Sequence, residues 1–463
     1  MKKFGLYILI FACAGGVALL GGCRGMSTKD ERAAREDFST VAKVYRPEGL
    51  RPPLPELNPQ SGLSNHLLYA LLNQPKVEAA YFDWAASVER ITIERSMPDP
   101  KLTFESDIAD TVMTVMPGFM QEFPGPGKLK AASRVASAES TVKYFAFESA
   151  VLQTALDLKR SFYNLHFLDE KIRIQRRTLG LLDGLDQIAR AQNEVGKVTL
   201  QDVYRAQIEK EQLTNEIVNM EDSRRPMMAQ FKGALGLAHS HEDPPVPRIF
   251  ESTSLDLNGD ELLAIGLKQN PRLKAMEAEV RAAEASIAMA DKSKVPDFAL
   301  GLMADAKASP TMFRPLAEVT LPIWRDKIAA QIAAAQATKR ATEARLSNEQ
   351  IMLSVDFAMK TYDYRESTRN LALLQKQLIP KSRQSLELAR SGYLAGTIDF
   401  FNLIDAERTA LNFELAEVEA RTRREVLLAE ISLMIAGVFP DGAPRLSKPL
   451  DHSSQSTSNS NPH

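Results

Sequence analysis

The stretches NEVGKVTLQDVYRAQ (Asn193–Gln207) and GYLAGTIDFFNLIDAE (Gly392–Glu407) describe the same turn twice. Set with Gly196 against Gly396, Thr199 against Asp399, Asp202 against Asn402 and Ala206 against Ala406, they agree in pattern at an offset of 200. In each, a helical pattern stops at a glycine, which can take the left-handed conformation that ends a helix. It restarts at Thr199 or Asp399, whose side chain can cap the helix that follows. Both turns therefore reverse one long helix into another.

The repetition spreads outward from the turns. LLNQPKVEAA (from Leu71) answers LKQNPRLKAM (from Leu267), MPDPKLTFES answers VPDFALGLMA, and EFPG answers TLPI. These set Pro75, Pro98 and Pro124 against Pro271, Pro296 and Pro322, while GALGL answers MIAGV near the end of each half. The offset drifts only from 196 to 201 across a whole half, which chance does not maintain. The chain is a tandem duplication with a unit far longer than a solenoid repeat.

Within each half the hydrophobic period changes in a fixed order. Residues 76–96 and 272–293 read as helices. After Pro98 the period becomes two, with Leu102, Phe104 and Ile108 alternating with Lys101, Thr103, Glu105 and Asp107. Phe298, Leu300, Leu302 and Ala304 repeat the switch. Returning strands are expected near 119–123 and 317–323, so each half predicts one β-hairpin with an apolar and a more polar face.

Residues 128–193 and 326–391 then predict the longest helices. Val151, Ala155, Leu158, Phe162, Leu165, Ile172 and Leu179 follow heptad steps in one, as do Leu353, Phe357, Tyr364, Leu371, Leu374 and Leu378 in the other. Such seams need coiled-coil neighbours. Gly180 and Pro380 stand at matching places and predict a bend in each helix. Return helices are expected from Thr199 to about Lys232 and from Asp399 to about Ala436.

The N-terminus reads as an export signal: Lys2 and Lys3, an apolar run from Phe4 to Leu20, then Gly21-Gly22-Cys23. A cysteine after small residues suits a lipoprotein signal, with Cys23 acylated, and a multiply acylated terminus holds stably to a membrane. Arg24 in place of aspartate favours the outer membrane. Only Cys13 and Cys23 are present, so the mature chain has no disulfide and no thiolate metal site. A formal charge of −2, or −4 without Lys2 and Lys3, lacks the basic excess that nucleic-acid binding needs.

After the signal no segment approaches the ~20 apolar residues of a membrane-spanning helix. The hairpins could therefore enter lipid only as part of a closed barrel. Four strands per chain are too few against the roughly eight that single-chain barrels need, whereas three chains would supply twelve. Two soluble hairpins packed on the helices would give the same pattern of faces.

In duplicated order, the helix starts NQPKVEA and NPRLKA, the strand entries PDP and VPDF, and the turn GYLAGTIDFFNLIDAE resemble the TolC-type outer-membrane efflux proteins. The likeness runs from about Leu63 to Val438. It implies a mainly α chain with a small β part: tandem-repeat long helical hairpins in an α-barrel, and four strands contributing to a trimeric transmembrane β-barrel. It implies a passive homotrimeric duct in the outer membrane of a Gram-negative bacterium. The duct would be lipid-anchored at Cys23, extend into the periplasm, and work with a periplasmic adaptor and an inner-membrane pump, of resistance-nodulation-division type. The resemblance makes the turns the periplasmic tip that meets the adaptor, with Gly196, Thr199, Asp202, Gly396, Thr397 and Asp399 in contact and Tyr393, Asn402 and Asp405 at the gate. A basic gate residue of the family falls on Ile398 and an acidic one on Asn402, so the family's ion pair at that place is not expected.

On this reading the chain divides into a signal (1–22), a lipidated linker (23–60), a first efflux repeat (61–237), an inter-repeat linker (238–258), a second repeat (259–438) and a disordered tail (439–463). QEFPGPGKLKAAS (from Gln121) resembles the strand-to-helix junction of members serving heavy-metal pumps. Met113, Met116 and Met120 precede it, thioethers that suit soft cations but are commoner as packing or lipid-facing residues. His239 and His241 read as surface histidines. No metal site or cofactor is assigned. No phosphate loop, HExxH or nucleophile elbow is present, so an enzyme is not expected. The competing function is a periplasmic adaptor or structural lipoprotein that uses helical hairpins as a scaffold, although adaptors carry one such hairpin and more β structure.

Overall fold

The protein was analysed as a computed structural model that describes residues 27–58, 60–109, 112–247, 259–305 and 310–435. The signal (1–22), Cys23 and the tail (439–463) lie outside the described residues, as does the inter-repeat linker from 248 onward. After α1 (Lys29–Tyr45), one order of elements occurs twice. The first round is α2 (Leu63–Asn73), α3 (Pro75–Arg95), β1 (Lys101–Ala109), β2 (Val112–Phe123), α4 (Lys128–Glu194) and α5 (Leu200–Ala234). The second is α6 (Gly259–Gln269), α7 (Pro271–Asp291), β3 (Asp297–Asp305), β4 (Met312–Thr320), α8 (Arg325–Leu373), α9 (Ile379–Leu394) and α10 (Phe400–Met434).

Two compact units cut across this repetition. One gathers Met1–Ser39, Ala85–Thr141 and Ala278–Thr342, the other Thr40–Trp84, Val142–Glu277 and Glu343–His463. In the first, the two hairpins form one antiparallel sheet in the order β1-β2-β3-β4, with β2 joined to β3 across the duplication. The register aligns Leu102, Phe119, Leu302 and Pro315 across all four strands. It also aligns Phe123, Phe298 and Val319. Because side chains alternate along a strand, this register collects the apolar residues on one face. There Leu102, Phe104, Phe119, Phe298, Leu300, Leu302, Phe313 and Val319 are 41–68% exposed. The alternative of hairpins burying their apolar face on their own helices does not hold: that face is open. The opposite face presents Lys101 paired with Glu122, and Asp305 paired with Arg314 at 3.4 Å. The returning strands start earlier than expected, at Val112 and Met312, and β4 ends before Pro322.

Asp297 ties the two hairpins at their base. Its carboxylate accepts from the Gly125 N–H at 2.7 Å and from Lys128 Nζ at 2.8 Å. A Cβ on Gly125 would lie 2.3 Å from the Pro296 carbonyl oxygen, so only glycine permits this approach.

Helix α1 was not foreseen. It lies in the stretch read as a linker, and its Glu31 is 1% exposed. Arg95 Nε, Arg35 Nε and the Thr92 hydroxyl donate to that carboxylate, while Arg35 also forks onto Glu89 at 2.9 Å through both terminal nitrogens. Burial alone would raise the Glu31 pKa, but the bonds from Arg95, Thr92 and Arg35 hold it below the ordinary glutamate value. A depressed carboxylate stabilises the fold above its unfolded pKa and loses that contribution as pH falls through the folded one. Neutral Glu31→Gln leaves Arg95 without its partner, at a cost of about 3 kcal/mol. Residues 29–39 of that variant should therefore lose amide protection at neutral pH, relative to intrinsic exchange rates, to the degree that the wild type loses it only in acid; unchanged protection would show that the ion pair does not fasten α1.

In the second unit, most of the heptad residues are buried as the spacing predicts, with Leu179 and Leu378 half-buried: Leu158 and Leu165 are fully covered, and Phe162, Phe357 and Tyr364 nearly so. One core joins Leu158, Phe162, Leu165 and Phe167 of α4 to Met228 and Phe231 of α5 and Val418 of α10. Equivalent side chains close the two halves: Gln74 Nε2 donates to Gly233 O at 2.9 Å, and Asn270 Nδ2 to Met434 O at 3.0 Å. Each satisfies a carbonyl that the end of a return helix leaves free.

The expected bends came out differently in the two halves. Helix α4 runs without interruption through Gly180, because glycine costs a helix roughly 1 kcal/mol and keeps its N–H. In the second half a π-helical turn, Leu374–Leu378, separates α8 from α9, and the Ile379 N–H reaches back to Leu374 O. Pro380 then stands in the first turn of α9, where its missing N–H is tolerated.

Candidate functional site: the paired glycine turns

Both turns adopt the geometry their sequences call for. Gly196 and Gly396 have φ of +69° and +75°. In the first, Lys197 N–H donates to Gln192 O at 2.8 Å, closing the end of α4. Thr199 then caps α5 through a reciprocal box: its hydroxyl accepts from Asp202 N–H, and the Asp202 carboxylate accepts from Thr199 N–H at 3.1 Å. In the second turn the Asp399 carboxylate accepts from Asn402 N–H at 2.8 Å. Asn402 itself is exposed.

The second turn depends on a residue whose role the sequence did not disclose. Gly392 O accepts from Thr397 N–H at 2.8 Å, Ile398 N–H at 3.2 Å and the Thr397 hydroxyl at 3.1 Å. A Cβ on Gly392 would lie 2.7 Å from Ile398 Cδ1. Ile398 folds back over this glycine. The visible signal was the first letter of GYLAGT.

Behind the turns lies a core of Leu182, Leu185 and Ala189 from α4, Val203 and Ala206 from α5, Tyr393 from α9, and Phe400 and Leu403 from α10. Tyr393 meets Phe400 edge-on with ring centroids 5.5 Å apart. Its hydroxyl is buried without a hydrogen-bond partner. Burial, and then the negative charge of Asp202, raise the tyrosine pKa. The Asp202 charge thus acts on Tyr393 from the opposite half of the repeat, whereas Asp405 is exposed on α10. Further bridges join the hairpins: Arg408 to Glu209, Arg205 over the Phe401 ring at 5.0 Å, and Glu414 between Arg177 and Arg383. Among the described residues no cluster of three or more His, Cys, Asp or Glu could hold a metal.

The family model for outer membrane efflux proteins matches residues 68–237 and 262–437, one match per half. The chain belongs to that family. The cobalt-zinc-cadmium resistance protein CzcC of Cupriavidus metallidurans is 22% identical over 262 residues, 54% of this chain and 59% of CzcC, so the chain spans less than two thirds of that relative. Among solved structures, a membrane protein from Pseudomonas aeruginosa superposes with a TM-score of 0.71 at 18% identity, covering 83% of this chain and 95% of that one. CusC gives 0.71 at 16% identity, covering 83% and 97%. VceC from Vibrio cholerae gives 0.67 at 18%, covering 82% and 97%. At such identities these structures share the fold.

Proposed function

We propose that this efflux-family chain is the outer-membrane channel of a tripartite export system, a passive homotrimeric duct leading from the periplasm or an inner-membrane pump to the exterior. The observation that carries this reading is the open apolar face of the four-stranded sheet. Eight large apolar side chains on a strand face find no cover in their own chain, and lipid is the environment that rewards their exposure. Three such sheets give twelve strands, enough to close a barrel and leave no free edge. A second feature supports several copies: Met352, Val355, Met359 and Tyr362 on α8, at steps of three and four, are 46–61% exposed. Such a seam asks for a neighbouring helix.

On this reading the glycine turns form the periplasmic tip, where a periplasmic adaptor docks and the duct narrows, and the core around Tyr393 and Phe400 with the Arg408–Glu209 bridge holds the two hairpins of one chain together. The pump is of the resistance-nodulation-division type, and the segments are those marked by the signal, the two repeats and the tail. Crosslinking in detergent should give trimers, and carbonate should fail to extract the protein from outer membranes. Monomers together with full extraction would remove the channel reading.

Cys23 is the proposed acylation site, since the signal before it ends in small residues. A clickable fatty-acid probe should label the wild type and leave Cys23→Ser unlabelled; equal labelling would refute the anchor. Because the sheet supplies its own lipid-facing surface, the variant should still fractionate with membranes.

A further inference from the structure

We propose that the polar face of the sheet carries a thioether site for a soft monovalent cation, built from Met116 and Met303 with the Thr103 hydroxyl and extended by Met120. It requires only one chain's sheet and does not depend on the duct reading. The sequence alone groups Met113, Met116 and Met120, but the register regroups them. Met116 and Met120 share a side with Gly118, which lies between them and pairs with Met303 of the second half. Met303 is thus the diagonal neighbour of both, a spacing that long side chains bridge.

Gly118 opens the site. A Cβ there would lie 2.5 Å from Met303 Cγ and 2.6 Å from Thr103 Oγ1, so both side chains close over this glycine from opposite strands. The result is a buried cluster of unusual composition. Met116 and Met303 are each 4% exposed. Thr103 Oγ1 is buried with no hydrogen-bond partner. A buried hydroxyl without a partner costs free energy and asks for an explanation. A coordinated cation supplies one, because the oxygen lone pairs can ligate it.

The surroundings favour a cation over a neutral ligand. Glu105 pairs with Met116 on the ladder, while Arg314, opposite Met303, is held by Asp305. Thioether sulfur is soft and uncharged, so it selects ions such as copper(I) or silver(I) over zinc.

The test uses the full chain purified in detergent, with silver(I) as the probe, since it is soft and needs no reductant. Calorimetry should find one silver per chain that a hundredfold excess of zinc does not displace, and X-ray absorption should place at least two sulfurs around it. Met116→Leu with Met303→Leu conserves volume and should weaken binding at least tenfold, with each single change intermediate. Thr103→Val should weaken binding while leaving the sulfur shell intact. Affinity within twofold of wild type in the paired variant, displacement by zinc, or a shell without sulfur would overturn the proposal. If the paired variant does not assemble, the single variants decide it by the same thresholds.

Discussion

Leu300→Arg should abolish stable insertion of the protein into the outer membrane. Leu300 lies mid-strand in β3, in register with Gln121 and Ala317, and is 57% exposed on the apolar face. An arginine facing lipid at mid-depth costs roughly 2–4 kcal/mol. Three copies in a trimer raise this to about 6–12 kcal/mol, comparable to the entire 5–15 kcal/mol stability of a typical fold. The informative comparison is Glu318→Arg. It places the same charge in the same sheet, on β4 opposite Ala299, but on the other face. That variant should resist carbonate extraction as the wild type does. If both variants insert, the apolar face does not meet lipid; if neither does, the loss is a general folding defect.

Gly392→Val should leave trimers and insertion intact and reduce export to the level of a strain lacking the gene. Its branched side chain would begin where Ile398 Cδ1 now lies, 2.7 Å from the new Cβ, so the second turn must open. Gly196→Val with Gly396→Val should act by a different route. No atom lies within 4 Å of either new Cβ, and the cost is the left-handed φ itself, roughly 1–2 kcal/mol per residue. That is enough to distort a tip without melting helices held along long heptad seams. Tyr393→Phe with Asp202→Ala removes the buried hydroxyl and the charge that acts on it, and should raise conductance in planar bilayers while preserving export. Normal export by all the valine variants would reduce the turns to structural connections. Unchanged conductance in the Tyr393 and Asp202 pair would locate closure elsewhere, with Arg408–Glu209 and Arg177–Glu414 the next bridges to cut.

Much of the turn site was legible because it is built from local rules. A glycine that ends a helix, a capping residue three or so positions later and a heptad behind it are each written within a few residues. Gly392 was harder: its importance comes from Ile398 returning across the turn, a contact between residues that no period predicts. Asp202 was legible as a residue of the first turn, yet the Tyr393 on which its charge acts is nearly two hundred residues away. Helix α1 escaped notice because polar residues surround its few apolar ones; the buried ion pair of Glu31 with Arg95 fixes its start, and buried Val41 and Tyr45 its end.

The sequence by itself determined the duplication, the long helical hairpins, the two β-hairpins and the existence of an apolar strand face. These follow from hydrophobic period and from where glycine and proline interrupt it, both of which act over one or two helical turns or a single strand. Only the tertiary structure decided that β2 joins β3, that the apolar face is open, and that Met303 of the second half neighbours Met116 and Met120. Each of these depends on register between distant segments. A shift of one residue in a strand moves every side chain to the opposite face, and nothing within either strand alone records which register its partner takes.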